Sequence, residues 1–301
     1  MTKLSLYFKK IIAQLLRNTE KKNKIKKQIG LINKKLGVTY NVFDGTELLE
    51  ASIKSIKDNV DYINIIYQEI SNFGQKITEK DLCEIQRLKN EGIVDEVICY
   101  QTDFSIKPQD NETNKRNIGV QHCKKNKCTH FLLMDTDEFY RGSEFLKAKE
   151  YIMLSNIDVS ACSMYFYIKE PIYRSKYYQG SYFVPFICKL SPKTKIQLGV
   201  KAFCKVDPTR LPNKFSSCYV FAPEDITMHH FSLVREDLEK KFNNSTLNQD
   251  KKYKEYMLST YDSVINYHYP SDLEIIEPDN KKIIEIIQVP NEFNIKIKQS
   301  N

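Results

Sequence analysis

The stretch FLLMDTDEFY (131–140) runs an apolar segment straight into three carboxylates, Asp135, Asp137 and Glu138. On an extended chain, residues at i and i+2 point to the same side, so Asp135 and Asp137 can converge on one cation. Oxygen-only ligands suit Mg²⁺ or Mn²⁺, and such an ion can bridge a diphosphate and neutralise charge on a leaving group. The other readings are a catalytic carboxylate pair and a solvated strand end whose acids cap the next turn.

Two further chemistries compete for neighbouring residues. Aspartate-nucleophile phosphatases carry D-x-D-x-T/V after an early strand; here the fifth position is Phe139 and the strand comes late. His122, Cys123, Cys128 and His130 suggest zinc, but Cys123 falls on a helical stretch, His130 opens an apolar strand, and finger spacing is absent. No phosphate-binding P-loop or glycine-rich dinucleotide fingerprint is present.

The elements that must position the acids follow a rhythm. LGVTYNV, VDYINIIYQ, VDEVICYQ and THFLLMD read as strands. Between them DGTELLEASIKSIKDN, ITEKDLCEIQRLKNEG and NETNKRNIGVQHCKKNK read as helices. Continuous apolar strands alternating with helices predict a parallel, helix-covered α/β sheet, in which ligands bind beyond the strands' carboxyl ends. Asp135 stands at such an end. After residue 140 strands predominate (VSACSMYFYIKE, SYFVPFICKL, CYVFAPEDITMHHF), followed by helices REDLEKKFNN and DKKYKEYMLSTYDSVINYH and a polar tail.

Charge is unevenly placed. Residues 1–35 carry eleven Lys/Arg and one acid, a net +10, so the remainder of this +8 chain sums to −2. A general nucleic-acid-binding surface is thereby disfavoured. Leu4, Tyr7, Phe8, Ile11, Ile12, Leu15 and Leu16 give residues 3–17 an amphipathic helical pattern. That helix would pack on its own domain or a twin subunit, or dock on an anionic membrane surface. The eight cysteines lie mostly in apolar runs, and the N-terminus lacks a signal-peptide pattern, so we expect reduced, buried thiols in a cytoplasmic protein, possible contact being with the inner membrane face.

From Lys35 to about Lys241 the sequence resembles glycosyltransferases of the GT-A type, and among them the family 2-like enzymes of bacterial capsule and surface polysaccharides. TYNVFDGTELLEASIKSI resembles the first strand, nucleotide loop and helix; NKRNIGV the R-N-x-G helix start; HFLLMDTDEFY the metal-binding D-x-D; MHHFSLVREDLEKKFNN the C-terminal His/Arg segment. The resemblance implies a Rossmann-like α/β mixed sheet flanked by helices. It divides the chain into a basic helical segment (1–35), a GT-A catalytic domain (36–245) and a C-terminal helical extension (246–301).

It also implies roles. Asp135 would face the ribose or metal, Asp137 would hold Mn²⁺ or Mg²⁺, and His230, or else His229, would complete the coordination, with Glu138 orienting the ligands. Tyr40 and Asn41 would lie against the base. Asn72 stands where the superfamily usually has an acidic uracil contact, leaving base specificity open, with Asp103 as a substitute. Arg116 and Asn117 would open a helix whose amides attract anions, and Arg235 would meet the diphosphate, Lys240 being a weaker candidate. Glu224 and Asp225 stand at the family's spacing for the general base, with Asp207 and Glu170 in reserve. YRSKYYQGSYF could stack a sugar or pack on itself. The expected activity is metal-dependent transfer of a sugar, with inversion, from a nucleotide-diphosphate donor to a glycan or lipid-linked glycan acceptor. A nucleotidyltransferase and a non-catalytic membrane-associated protein are the alternatives.

Overall fold

A computed structural model describes residues 19–178, 182–244, 251–277 and 280–297. The helix expected at 3–17 lies outside the described residues. Helix α1 (Thr19–Leu31) is the described part of the basic segment. It lies on the chain's own body: Ile25 is buried, Lys27 pairs with Glu150, and Gly30 abuts Leu154. No helix among the described residues is long and apolar enough to cross a membrane.

The strand–helix rhythm is realised in the expected order: β1 (Leu36–Val42), α2 (Thr46–Ile56), β2 (Tyr62–Tyr67), α3 (Glu79–Asn90), β3 (Glu96–Cys99), α4 (Pro108–Lys125) and β4 (His130–Asp135). The four strands pair in parallel in the spatial order β4-β1-β2-β3. The order of travel therefore reverses between β1 and β4. Such a switch point leaves a crevice at the strands' carboxyl ends. Asn41 and Asp135 sit opposite each other across it.

Strand parity decides what faces the crevice. Leu36, Val38, Tyr40 and Val42 enter one core with Ile63, Ile65, Leu132 and Met134. The alternate residues face α4: Thr39 and Asn64 contact Cys123 of that helix, and Asn41 contacts its Glu112. Helix α4 lies close because Gly119 has no side chain; a Cβ there would stand 2.0 Å from Thr39 Cγ2.

The second half adds β5 (Glu138–Phe139), α5 (Gly142–Leu154), β6 (Val159–Ile168), β7 (Tyr173–Ser175), β8 (Val184–Lys189), β9 (Cys218–Val220), β10 (Thr227–Leu233) and α6 (Leu238–Asn243). β8 is antiparallel to β4 and hands the sheet on to β6. β10 runs beside β6 and pairs with β5, setting His230 opposite Glu138. The result is the mixed sheet flanked by helices.

Three expectations change. The α4 helix begins at Pro108, so Arg116 and Asn117 lie within it; proline at the first turn starts a helix readily because its missing N–H needs no partner there. CYVFAPEDITMHHF is interrupted after β9 by a turn containing Pro223, in which Asp225 N–H donates to Ala222 O. The C-terminal extension is not wholly helical. Helix α7 (Lys251–Ile265) is followed by a hairpin, β11 (Leu273–Glu277) and β12 (Asn280–Ile284), and β13 (Ile286–Gln288) pairs with β7 in the main sheet. The isoleucines of KKIIEIIQVP are β-branched and suit strands.

Candidate active site

The crevice is a cleft of about 550 Å³ at the carboxyl ends of β1, β2 and β4. Its two sides differ in chemistry. Asn41, Gln68, Ser71, Asn72, Gln109 and Glu112 make one side polar; Met164, Tyr182, Phe183, Val184, Pro185 and Met228 make the other apolar and aromatic. Asp135, Asp137 and Glu138 also line it.

Arg210 organises the first part of that acidic row. Its Nη2 donates to Asp135 Oδ2 at 2.5 Å and Glu138 Oε1 at 2.6 Å, and its Nη1 donates to Glu138 Oε2 at 2.8 Å. Arg116 adds a contact to Asp135 Oδ1 at 3.4 Å and a shorter one to Glu112 at 2.8 Å. Burial works to raise the Asp135 carboxyl, but Arg210 and Arg116 hold it below its ordinary range. Glu138 is raised instead, by burial and the neighbouring Asp135 charge, against Arg210.

Asp137 is 1% exposed and surrounded by cations. Arg235 Nη2 and Lys241 Nζ, the latter at 3.1 Å, both donate to its Oδ2. Burial opposes ionisation, yet Lys241, Arg235 and His230 keep this carboxyl well below the usual carboxylate range. Gly45 makes room for Arg235: its φ is +71°, and a Cβ would fall 1.3 Å from Arg235 Nη1. Lys241 is carried by α6, which Lys240 anchors to the buried Asp81 at 2.8 Å. Asp81 also accepts from Thr46 and Thr78, joining the starts of α2 and α3.

The implied cation can be tested against these donors. Asp135, Asp137 and His230 share the cleft but not one point: among the described residues no three His, Cys, Asp or Glu side chains are grouped to hold a metal. Asp135 departs from the expected set because both its oxygens face arginines. Asp137 Oδ1, by contrast, is buried without a hydrogen-bond partner, 3.5 Å from His230 Nε2. A carboxylate oxygen and an imidazole nitrogen fit a cation that draws its other ligands from water and substrate phosphates, as Mg²⁺ commonly does.

Of the other expected residues, Asn41, Asn72, Asp207 and Arg235 line the cleft. His229 faces away, buried, with its Nδ1 2.8 Å from Tyr167 Oη. Tyr40 points into the opposite core, where its hydroxyl meets Ser52. Asn117 brackets the Ile196 backbone through both amide atoms, away from the cleft. Asp103 is exposed and caps Ser105. Glu170 is not among the cleft-lining residues. Glu224 and Asp225 are exposed in the turn before β10 and also lie outside the cleft. Spacing along the chain failed for them because the turn projects away from the strand ends. Of YRSKYYQGSYF, Tyr182 and Phe183 line the cleft, while Tyr173 stacks on Tyr269. Of the zinc candidates, Cys123 and Cys128 lie together against Gly37, but His122 pairs with Glu96 and His130 meets Thr129, and among the described residues no three such side chains are grouped to hold a metal.

Sequence reasoning missed Gln68, Glu112, Lys115, Arg210 and Lys241. Glu112 was legible as the i−4 helical partner of Arg116. Arg210 follows Asp207 in DPTR, an Asp-Pro start of the short helical turn Pro208–Arg210, but nothing local shows that this turn folds back under β4.

No family model matches the sequence, and no curated protein matches it either. Solved structures with similar folds include S. aureus TarS 1–349, at 12% identity over 76% of this chain and 71% of that one, TM-score 0.39. A longer S. aureus TarS structure matches at 16% identity over 44% of this chain and 22% of that one, TM-score 0.30. Glucosyl-3-phosphoglycerate synthase from Mycobacterium tuberculosis, in complex with Mn²⁺, UDP and phosphoglyceric acid, matches at 8% identity over 46% of each chain, TM-score 0.31. The chain thus spans about a fifth of the longer TarS and under half of the synthase.

Proposed function

We propose that this chain is a GT-A-type glycosyltransferase that moves a sugar from a nucleotide-diphosphate donor to a glycan hydroxyl. The observation that carries this reading is Asp137: a buried carboxylate at the switch-point crevice, with one oxygen on Arg235 and Lys241 and the other unpartnered beside His230.

Charge balance supports a cation accompanying the donor. Lys115, Arg116, Arg210, Arg235 and Lys241 line the cleft, but so do Asp44, Glu112, Asp135, Asp137, Glu138 and Asp207. Five cations facing six carboxylates leave no surplus positive charge for a diphosphate. Bound Mg²⁺ or Mn²⁺, held by Asp137 and His230, would supply it and neutralise the leaving group. Arg210 and Arg116 keep Asp135 ionised and oriented toward the cleft, where it can accept from ribose hydroxyls.

Asp207 is the group we assign as base. It lies in the cleft with its side chain 29% exposed; its Oδ1 is fixed by Thr209 N–H and Oγ1, and its Oδ2 accepts from Arg210 Nε at 3.3 Å. Its carboxylate takes the proton from the acceptor hydroxyl as that oxygen bonds to the anomeric carbon. The bond from that carbon to the diphosphate breaks in the same displacement, giving inversion. The resemblance to capsule and lipooligosaccharide enzymes makes a surface glycan the acceptor we favour. The +10 charge of residues 1–35 suits work at an anionic membrane face.

The test is release of nucleoside diphosphate from a panel of nucleotide sugars supplied with Mn²⁺. Turnover of one donor is expected. Asp207→Asn should slow it by roughly 10²–10⁴-fold while leaving nucleotide affinity unchanged. No turnover of any donor, with or without added glycans, would count against the reading.

A further inference from the structure

The polar side of the cleft holds two buried amide oxygens with no partner among the described residues, Asn41 Oδ1 and Gln68 Oε1. Both residues are more than nine-tenths buried. They lie at the ends of adjacent strands, and parity puts both on the α4 side. A buried acceptor without a donor is costly, and in a cleft wall it marks where a ligand's N–H or O–H belongs.

The identity of the unpaired atoms follows from their partners. An amide can usually be turned over to exchange its oxygen and nitrogen. Here it cannot. Gln68 Nε2 donates to the Ile70 carbonyl at 2.8 Å, and a carbonyl can only accept. Asn41 Nδ2 donates at 2.6 Å to the carboxylate of Glu112, which also pairs with Arg116. Turning either amide would set oxygen against oxygen. Asn72, expected to be the base contact, is itself engaged: its Oδ1 accepts from Gln68 at 3.2 Å and its Nδ2 donates to Pro108 O. Glu112 adds a further acceptor alongside, while Arg116 of the same helix keeps Nε and Nη1 as donors without partners.

We infer that the donor nucleotide carries a base with an exocyclic amino group, guanine, cytosine or adenine, whose N–H donors meet Asn41 Oδ1 and Gln68 Oε1. Uracil fits poorly: its one ring N–H can serve one of the two acceptors and leaves the other without a donor. This inference rests on the nucleotide-sugar reading above and narrows its substrate.

The experiment is calorimetric binding of GDP, ADP, IDP, CDP and UDP to the full chain with Mn²⁺. IDP lacks the 2-amino group of GDP and carries a 6-carbonyl and an N1–H where ADP has a 6-amino group; UDP carries a 4-carbonyl and an N3–H where CDP has a 4-amino group. We expect the tightest ligand to be GDP, ADP or CDP and to bind about tenfold or more better than its counterpart without that amino group, IDP or UDP. Gln68→Met should shrink that ratio toward one; an unchanged ratio would overturn the assignment to Gln68. If IDP or UDP is the tightest ligand, or the tightest ligand gains nothing over its counterpart without the amino group, the base inference is overturned while nucleotide binding stands. If none of the five binds, the nucleotide-sugar reading fails and this inference falls with it.

Discussion

Arg210 holds two carboxylates at once, so its removal would leave Glu138 and Asp135 facing each other in a buried site. Breaking a buried pair from one side costs about 3–5 kcal/mol, because the remaining charge is uncompensated. We expect Arg210→Ala to lower the denaturant midpoint accordingly, and Arg210→Lys to recover only part, since an ammonium cannot match the forked contacts. At this scale the sequence was legible where chemistry is local. Asp135, Asp137 and His230 are adjacent to elements whose type and direction could be read. Their charged partners could not be found that way: Arg210 and Lys241 reach the acids from positions 75 and 104 residues away. Asp225 shows the converse, a residue placed by spacing that a proline-containing turn directs elsewhere.

Elements place these residues by two devices. The β5–β10 ladder puts His230 beside Glu138, and Phe231 N–H donates to Asp137 O at 2.8 Å, so the His pair arrives through backbone pairing. Helix α4 brings Glu112, Lys115 and Arg116 to the strand ends because Gly119 lets it settle on β1. Gly119→Ala should push the helix from Thr39 and cost about 1–3 kcal/mol, as overpacking does, read as a shift in the denaturant midpoint. Nucleotide affinity should fall with it. The parallel half of the sheet was legible because its strands are continuous apolar runs separated by periodic helices. The later half was less so. Whether Ile286 joins the main sheet depends on β7, more than a hundred residues earlier, and local patterning carries no such information.

Across the whole molecule, buried imidazoles tie stability to pH. Burial, with nearby Lys34 and Lys189, pushes His130 down to about 4; burial, with Arg141, pushes His229 down to about 3. Unfolded histidine titrates near about 6.5. The unfolded chain therefore takes protons first on acidification, and stability falls as pH drops from about 6.5 toward 4. Melting temperature should be lower at pH 5 than at pH 7.5, and His229→Phe should reduce that difference; an equal melting temperature at both pH values would contradict it. The molecule's charge is divided between a basic leading segment and a slightly acidic body, so deleting residues 1–35 should abolish sedimentation with anionic vesicles if that segment docks on them. The nucleotide site of the cleft is tested by titration of nucleoside diphosphates into the full chain with and without Mn²⁺, repeated on Asp137→Asn. We expect one nucleotide to bind in the presence of Mn²⁺ and to lose at least tenfold in affinity when the ion is withdrawn or Asp137 is replaced. Binding indifferent to both changes, or no binding at all, would contradict it.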